Sequence, residues 1–129
     1  MSPAGPTHVW SLDNGTIEKF IVTPSDFGLQ VHPLASVVGG DRVHNASIMR
    51  ELLDGKLPEG HPLLDFVLLN SAALLVVDGK VKTYKEGVEM AKTCIFEGKA
   101  KEALNDFVKG TETLKEKELA EAVSSNIVS

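Results

Sequence analysis

The sequence predicts an α/β protein in which one β-hairpin is followed by four or five helices. An Asn-Gly pair between two stretches rich in β-forming residues predicts the hairpin. Capping residues, apolar residues at helical spacing and closing glycines predict the helices after it. With 129 residues, 43% of them hydrophobic and 24% charged, the chain is one small domain or a piece of a larger one.

The hairpin turn is the clearest local signal. Asn14 and Gly15 tolerate the positive φ angles of a tight turn, and residues 8–12 and 16–23 supply the strands on either side. Residues 24–40 follow with two prolines and three glycines, which predicts an irregular connection. A connection of that length in so short a chain must lie on other parts of the fold.

Each of the first three predicted helices has a start signal and a stop signal. Asp41 caps the first, proline stands in the first turn of the second, and Thr83 with Glu86 forms a capping box at the third. The predicted helices cover about 41–54, 61–78 and 83–97, with glycines at 55, 79 and 98 just beyond them.

The fourth helix is predicted from about 100 to 108, with Gly110 at its end. Residues 111–129 then alternate Lys and Glu before a Ser-rich end, which predicts a frayed, solvated helix followed by disorder. The chain thus divides into a folded part, 1–110, and a charged, frayed tail, 111–129.

The run from Leu63 to Val77 is apolar on nearly all sides, which suits a helix that is buried on several faces. One two-stranded hairpin and the neighbouring helices provide little cover for it, because an isolated hairpin is marginally stable. We therefore expect this sequence to be part of a larger core. Alone, the chain should be partly unfolded or should self-associate through exposed apolar surface.

Charge and composition exclude several classes of protein. The net charge of −5 argues against binding of nucleic acid and against a polybasic contact with a membrane. The longest apolar run is shorter than the ~20 residues of a membrane-spanning helix, and the first residues lack the pattern of a secretion signal. The lone Cys94 is predicted to pack as a small apolar residue in preference to acting as a reactive thiol. A reducing compartment fits, and we expect a cytoplasmic protein.

A Gly39-Gly40-Asp41 segment precedes the first predicted helix, where free backbone amides could bind a phosphate. It is neither a Walker A loop nor a dinucleotide fingerprint, so a flexible turn with an N-cap is the favoured interpretation.

The histidines have no metal-ligand spacing and are predicted at the surface or at element boundaries. They are His8, His32, His44 and His61.

Four segments together resemble anthranilate phosphoribosyltransferases. They keep the order and spacing of that family's motifs, and the resemblance extends from residue 2 to about 108. The segments are 2–10 (SPAGPTHVW), 24–29 (PSDFGL), 39–48 (GGDRVHNASI) and 65–73 (DFVLLNSAA). The chain resembles the C-terminal part of the family's α/β domain, whose sheet is mostly parallel. The strands that should cover the apolar helix would then belong to other sequence.

The resemblance implies transfer of phosphoribosyl from phosphoribosyl pyrophosphate to the anthranilate amine in tryptophan biosynthesis, with magnesium on the pyrophosphate. The family's Gly-Thr-Gly-Gly-Asp loop, its Lys-His-Gly-Asn-Arg stretch, its carboxylate-binding arginine and its Asp-Glu metal pair do not match any residues here. The resemblance therefore assigns no catalytic or metal-binding residue to this chain. It does imply that a loop formed by Ser2, Pro3, Gly5 and Thr7 follows the metal pair and shapes the pocket.

Two hypotheses follow. In the first, the chain is a piece of such an enzyme and is inactive alone, since the groups that stabilise charge are absent. In the second, it is a non-catalytic binding or regulatory module that keeps the family's tail. A monomeric chain with a cooperative melt would favour the second.

Overall fold

A computed structural model describes residues 1–127, with side chains described through 115 and at 117. A two-stranded antiparallel sheet precedes four helices, as predicted. The strands are β1 (Thr7–Asp13) and β2 (Thr16–Val22); the helices are α1 (Arg42–Leu53), α2 (Pro62–Val77), α3 (Tyr84–Phe96) and α4 (Lys99–Ile127). Two short 3-10 helices, Pro24–Phe27 and Leu34–Val37, lie in the connection that was predicted to be irregular.

The predicted hairpin is confirmed. Asp13 pairs with Thr16, and the two turn residues between them, Asn14 and Gly15, have φ angles of 46° and 81°. Directly opposed residues point to the same face of the sheet. One face therefore consists largely of apolar residues that remain open to solvent. This open face contains Trp10, Leu12, Ile17 and Ile21, each more than half exposed.

The connection after β2 packs onto the helices through Phe27. Its ring is buried and stacks on Tyr84 at the start of α3, with ring centroids 4.3 Å apart. Gly28 follows with a φ of 74° and ends the 3-10 helix. The long connection is thus held on the fold, as its length required.

The predicted helix caps are confirmed. The Asp41 carboxylate accepts hydrogen bonds from the Val43 and His44 amides at the start of α1. At α3, the Thr83 hydroxyl accepts from the Glu86 amide at 3.2 Å, and the Glu86 carboxylate accepts from the Thr83 amide at 3.1 Å. These local bonds satisfy amides that lack partners within the helix.

The predicted end of the fourth helix at Gly110 is wrong. Helix α4 continues through Gly110 to Ile127. A glycine inside a helix costs only about 1 kcal/mol relative to alanine, and the Lys, Glu, Ala and Leu residues that follow are good helix formers. The helix predicted for the beginning of the tail is present and runs through Ile127. Residues 128–129, where part of the predicted disorder falls, lie outside the described part of the chain.

The core centres on α2. Leu64, Leu68, Leu69 and Ala72 are buried, so this chain covers the helix on more sides than the sequence predicted. The C-terminal turn is different, because Leu74 and other apolar side chains there lie in solvent. The prediction of thin cover therefore holds for the last turn of α2 and not for its centre.

Helices α2 and α3 approach each other closely at Gly87. A Cβ atom added to Gly87 would lie 2.9 Å from the Cα, Cβ and carbonyl oxygen of Ala72. Real Cβ atoms essentially never come so near to other atoms. The absence of a side chain at Gly87 is therefore what lets these two helix backbones touch.

An apolar groove of about 570 Å³ is bordered by α1, α2, α3 and the start of α4. Cys94 lies half-buried in its wall beside Leu53 and Ile95, in keeping with the predicted role of a small apolar residue. None of the helices in the described residues has the length and apolarity to cross a membrane.

Candidate functional site

The candidate site is the loop that precedes β1, called here the 2–7 loop (residues 2–7). Two internal hydrogen bonds fold it into a turn: the Ser2 amide donates to Thr7 Oγ1 at 3.1 Å, and the Ala4 amide donates to Ser2 Oγ at 3.2 Å. Pro3 is fully buried, while Gly5 is half-buried, with open space where a Cβ atom would lie. The four residues singled out by the resemblance thus lie together in one turn.

Asn70 joins the beginning of this loop to α2. Its Oδ1 accepts a hydrogen bond from the N-terminal ammonium of Met1, and its Nδ2 lies 3.5 Å from the Met1 carbonyl oxygen. The same Nδ2 donates to the Phe66 carbonyl at 2.9 Å, one turn earlier on α2. The bond to Phe66 fixes the Asn70 side chain on its own helix.

His32 fixes the loop at a second point. Its backbone amide donates to the Pro3 carbonyl at 2.9 Å. Its ring Nε2 donates to Asp65 Oδ2 at 2.8 Å, and both side chains are over nine-tenths buried. The prediction that His32 is a surface or boundary residue is wrong, because the Asp65 carboxylate on α2 supplies the partner that a buried imidazole requires.

The sequence contained a signal for these anchors. Asp65 and Asn70 interrupt the apolar run that becomes α2, and a polar side chain in a buried helix needs a hydrogen-bond partner. In the structure both partners come from segments far away in sequence, by 33 residues for Asp65 and by 69 for Asn70. Among the described residues, no buried side-chain nitrogen or oxygen lacks a partner.

Three amides in and after the Gly39-Gly40-Asp41 segment, those of Gly40, Val43 and His44, are occupied by side-chain acceptors. The His44 and Val43 amides donate to Asp41 and hold the pKa of that carboxyl below its usual value. The Gly40 amide donates to Asn45 Oδ1 at 2.8 Å. A turn with an N-cap accounts for these bonds, which favours that interpretation over a phosphate site.

The side chains that the structure describes do not assemble a magnesium site by themselves. Across the described side chains, no group of three or more His, Cys, Asp or Glu is arranged to hold a metal ion. The buried Asp65 carboxylate is already bound to His32.

Comparison with known proteins gives one consistent family. A model described as "Glycosyl transferase family, a/b domain" matches residues 1–101. The anthranilate phosphoribosyltransferase of Schizosaccharomyces pombe is 47% identical over 107 residues, which are 83% of this chain and 30% of that protein. The enzyme of the same name from Listeria monocytogenes is 41% identical over 107 residues, again 83% of this chain and 31% of the relative.

Solved structures agree with the sequence relatives. Anthranilate phosphoribosyltransferase from Saccharomyces cerevisiae in complex with 4-fluoroanthranilate superposes with a TM-score of 0.80 at 33% identity, covering 87% of this chain and 32% of that one. A structure of the same enzyme with PRPP and Mg gives the same values. The Thermus thermophilus enzyme has a TM-score of 0.65 at 34% identity, covering 70% of this chain and 27% of the other.

The match covers most of this chain, but the chain spans only about a third of the length of its relatives. The hairpin, the four helices and the 2–7 loop therefore form part of an α/β fold that its relatives extend further. The chain belongs to the glycosyl transferase family, a/b domain, and is similar to about a third of the length of the anthranilate phosphoribosyltransferases.

Proposed function

We propose that this chain is a piece of an anthranilate phosphoribosyltransferase, in which it completes the α/β domain and supplies one wall of the substrate pocket. The observation that supports this most directly is the 47% identity to the S. pombe enzyme over 83% of the chain. The reaction of the whole protein would transfer phosphoribosyl from phosphoribosyl pyrophosphate to the anthranilate amine, in tryptophan biosynthesis. The lone cysteine fits a reducing compartment, and we propose the cytoplasm as its location.

Within that protein, the 2–7 loop is the proposed pocket wall. Ser2, Pro3, Gly5 and Thr7 shape the space beside the residues that hold the pyrophosphate and its magnesium ion. Those residues belong to parts of the family outside the matched third. The proposed division of the chain remains a family segment up to about 110 and a charged tail from 111 to 129.

We propose that the 129-residue chain alone does not turn over anthranilate. Loss of a single group that stabilises charge in a transition state typically costs about 10²–10³ in rate. Here the proposed phosphate-binding, metal-binding and carboxylate-binding groups all lie elsewhere, so the remaining rate would be undetectable.

Exposed apolar side chains support a piece of a larger core over a self-standing module. The open face of the hairpin places four large apolar residues in solvent, and the end of α2 adds Leu74 and Val77. Burial of a side chain of this size contributes about 1.5–3 kcal/mol. We propose that the rest of the domain covers this surface and that the isolated chain self-associates through it.

The test uses a chimeric enzyme, in which the aligned part of this chain replaces the matching 107-residue segment of the S. pombe relative. Loss of anthranilate fluorescence is followed with phosphoribosyl pyrophosphate and magnesium present. We expect turnover by the chimeric enzyme and none by the isolated chain above a heat-killed control. A folded but inactive chimeric enzyme would contradict the proposed function, and turnover by the isolated chain would contradict the proposed inactivity.

A further inference from the structure

We propose that His32, held by Asp65, is a positioning residue for the 2–7 loop: its buried ring fixes the peptide whose amide holds Pro3. This inference rests on the proposed function, because it concerns the loop that shapes the pocket. It assigns the placement of that loop to a hydrogen bond between two side chains that lie outside it.

The first step of the argument is how few points hold the connection that contains His32. From residue 28 to residue 41, His32 is the single buried residue, Leu29 and Val37 are half-buried, and the others are exposed. Within the part of the chain that the structure describes, residues 30–38 make two hydrogen bonds to other parts of the fold, and His32 makes both. The position of this stretch therefore depends mainly on one residue.

The second step is the bond that holds the ring. His32 Nε2 donates to Asp65 Oδ2 at 2.8 Å, and the two side chains retain only 9% and 6% of their accessible surface. Neither side chain can turn away without a penalty, because a buried polar group that loses its partner is costly. A hydrogen bond also has a preferred direction, whereas apolar burial has none. The bond therefore fixes where the ring lies as well as keeping it buried.

The third step is the link from the ring to the loop. The His32 backbone amide donates to the Pro3 carbonyl at 2.9 Å. Pro3 is buried, and Ser2 beside it donates its amide to Thr7 Oγ1, which closes the turn. These bonds use internal backbone groups and side chains, so they do not depend on a free chain end and can form in the larger protein. A shift of His32 is thus passed to Pro3 and to the turn around it.

The consequence for the reaction concerns the phosphoribosyl pyrophosphate side of the pocket, where the 2–7 loop is proposed to lie. A displaced wall binds this substrate less well and holds it in a less productive arrangement. We expect His32→Leu to lower kcat/KM for phosphoribosyl pyrophosphate about tenfold, which corresponds to about 1.4 kcal/mol. KM for this substrate should rise, and KM for anthranilate should stay unchanged. A smaller folded fraction alone would lower kcat and leave both KM values unchanged.

The experiment compares four variants of the chimeric enzyme. His32→Leu removes the bond, and His32→Gln restores a side-chain N–H that can donate to Asp65. The double variant His32→Leu/Asp65→Leu removes the bond without leaving a buried polar group unpaired. His44→Leu is the matched control, because it makes the same change at an exposed histidine on α1. Steady-state kinetics are measured for each variant, together with hydrogen exchange by mass spectrometry in peptides that cover residues 2–7, residues 30–33 and α3.

The expected changes are local. His32→Leu and the double variant should accelerate exchange in residues 2–7 and 30–33 and leave exchange in α3 unchanged. His32→Gln should recover most of the protection and most of the KM for phosphoribosyl pyrophosphate. His44→Leu should match the unmodified chimeric enzyme in kinetics and in exchange.

The outcomes separate the two proposals. If the chimeric enzyme is active and His32→Leu matches His44→Leu in KM and in loop exchange, the positioning role is wrong and the proposed function stands. If exchange in α3 accelerates as much as exchange in the loop, His32 acts through global stability and the positioning role is again wrong. If the chimeric enzyme folds without activity, the proposed function is wrong, and exchange alone decides whether His32 orders the loop.

The double variant keeps the test decisive if His32→Leu does not fold. Faster loop exchange with a higher KM for phosphoribosyl pyrophosphate in the double variant supports the positioning role. Values equal to those of the unmodified chimeric enzyme refute it.

Discussion

Replacement of Gly87 by alanine should separate helices α2 and α3 and destabilise the fold. The added methyl group would meet the Cα, Cβ and carbonyl oxygen of Ala72, each at 2.9 Å. Two of these three atoms belong to the backbone of α2, so no side-chain rotation can relieve the contact. One helix must shift away from the other, at the point where the core is most densely packed.

Two opposing effects set the magnitude. Overpacking of a core by one methyl group typically costs about 1–3 kcal/mol. Alanine is favoured over glycine inside a helix by about 1 kcal/mol, which offsets part of that cost. Because the contact is with backbone, we place the overpacking near the upper end of its range and expect a net loss of about 2 kcal/mol.

Gly110→Ala provides the matched control. Gly110 also lies inside a helix, α4, but apart from its chain neighbours and the backbone of its own helix no heavy atom is within 4 Å of the position its Cβ would take. The same substitution should therefore stabilise the protein by up to about 1 kcal/mol. We therefore expect the same glycine-to-alanine substitution to lower the free energy of unfolding at position 87 and to raise it at position 110.

Urea unfolding of the chimeric enzyme, followed by circular dichroism at the helix band, measures both variants. If the free energy of unfolding falls by about 2 kcal/mol per molar urea, Gly87→Ala should lower the midpoint of the unfolding transition by about 1 M urea. A Gly87→Ala midpoint equal to or above that of Gly110→Ala would show that α2 and α3 can move apart without cost, and the close-contact argument would fail.

Three further predictions concern the caps, the charges and the exposed surface. Thr83→Ala removes the hydroxyl that accepts from the Glu86 amide, so it should lower the free energy of unfolding of the chimeric enzyme by about 1 kcal/mol. Thr93→Ala, inside α3, is the control and should leave that free energy unchanged. Equal effects of the two substitutions would contradict a capping role. Hydrogen bonding to Lys101 is the main reason that the pKa of Asp54 falls from its ordinary value of 3.8 to about 2. Because the carboxyl binds its proton less readily in the folded chain, the stability that it contributes is present above pH 4 and is lost as pH falls toward 2. Lys101→Met should raise that pKa toward 3.8 in a carboxyl NMR titration, and an unchanged titration would count against the assignment. The isolated chain should bind a hydrophobic dye and sediment as oligomers, because its apolar surface is exposed; a monomer with no dye binding and well-dispersed amide signals would refute this.

Features that depend on neighbouring residues were predictable from the sequence. Asn14 and Gly15 make a tight turn, and the caps at Asp41 and Thr83 close hydrogen bonds within three residues. Their signals are local, so a linear pattern is sufficient to identify them. Gly110 shows the limit of the same reasoning: a glycine can stop a helix or lie inside one, and the residues beyond it decide.

Features that join distant segments were not predictable in detail. The polar residues Asp65 and Asn70 were visible as interruptions of an apolar run, but their partners lie 33 and 69 residues away. Periodicity assigns a residue to a face of a helix and does not name the atom it meets. For that reason the 2–7 loop could be identified by its resemblance to a family, while the residues that hold it came from the structure.

The open face of the hairpin also determines what the fluorescence of this chain reports. Trp10 is the single tryptophan of the sequence, and it lies on that face with 62% of its surface in water. In a single copy of the folded chain its emission is therefore at long wavelength, and denaturant will change the wavelength of that monomeric form little. A blue shift will appear when another protein surface covers the indole. Tryptophan emission thus reports whether this face is covered, by the rest of the domain or by a second copy of the chain, while helix formation has to be followed by circular dichroism.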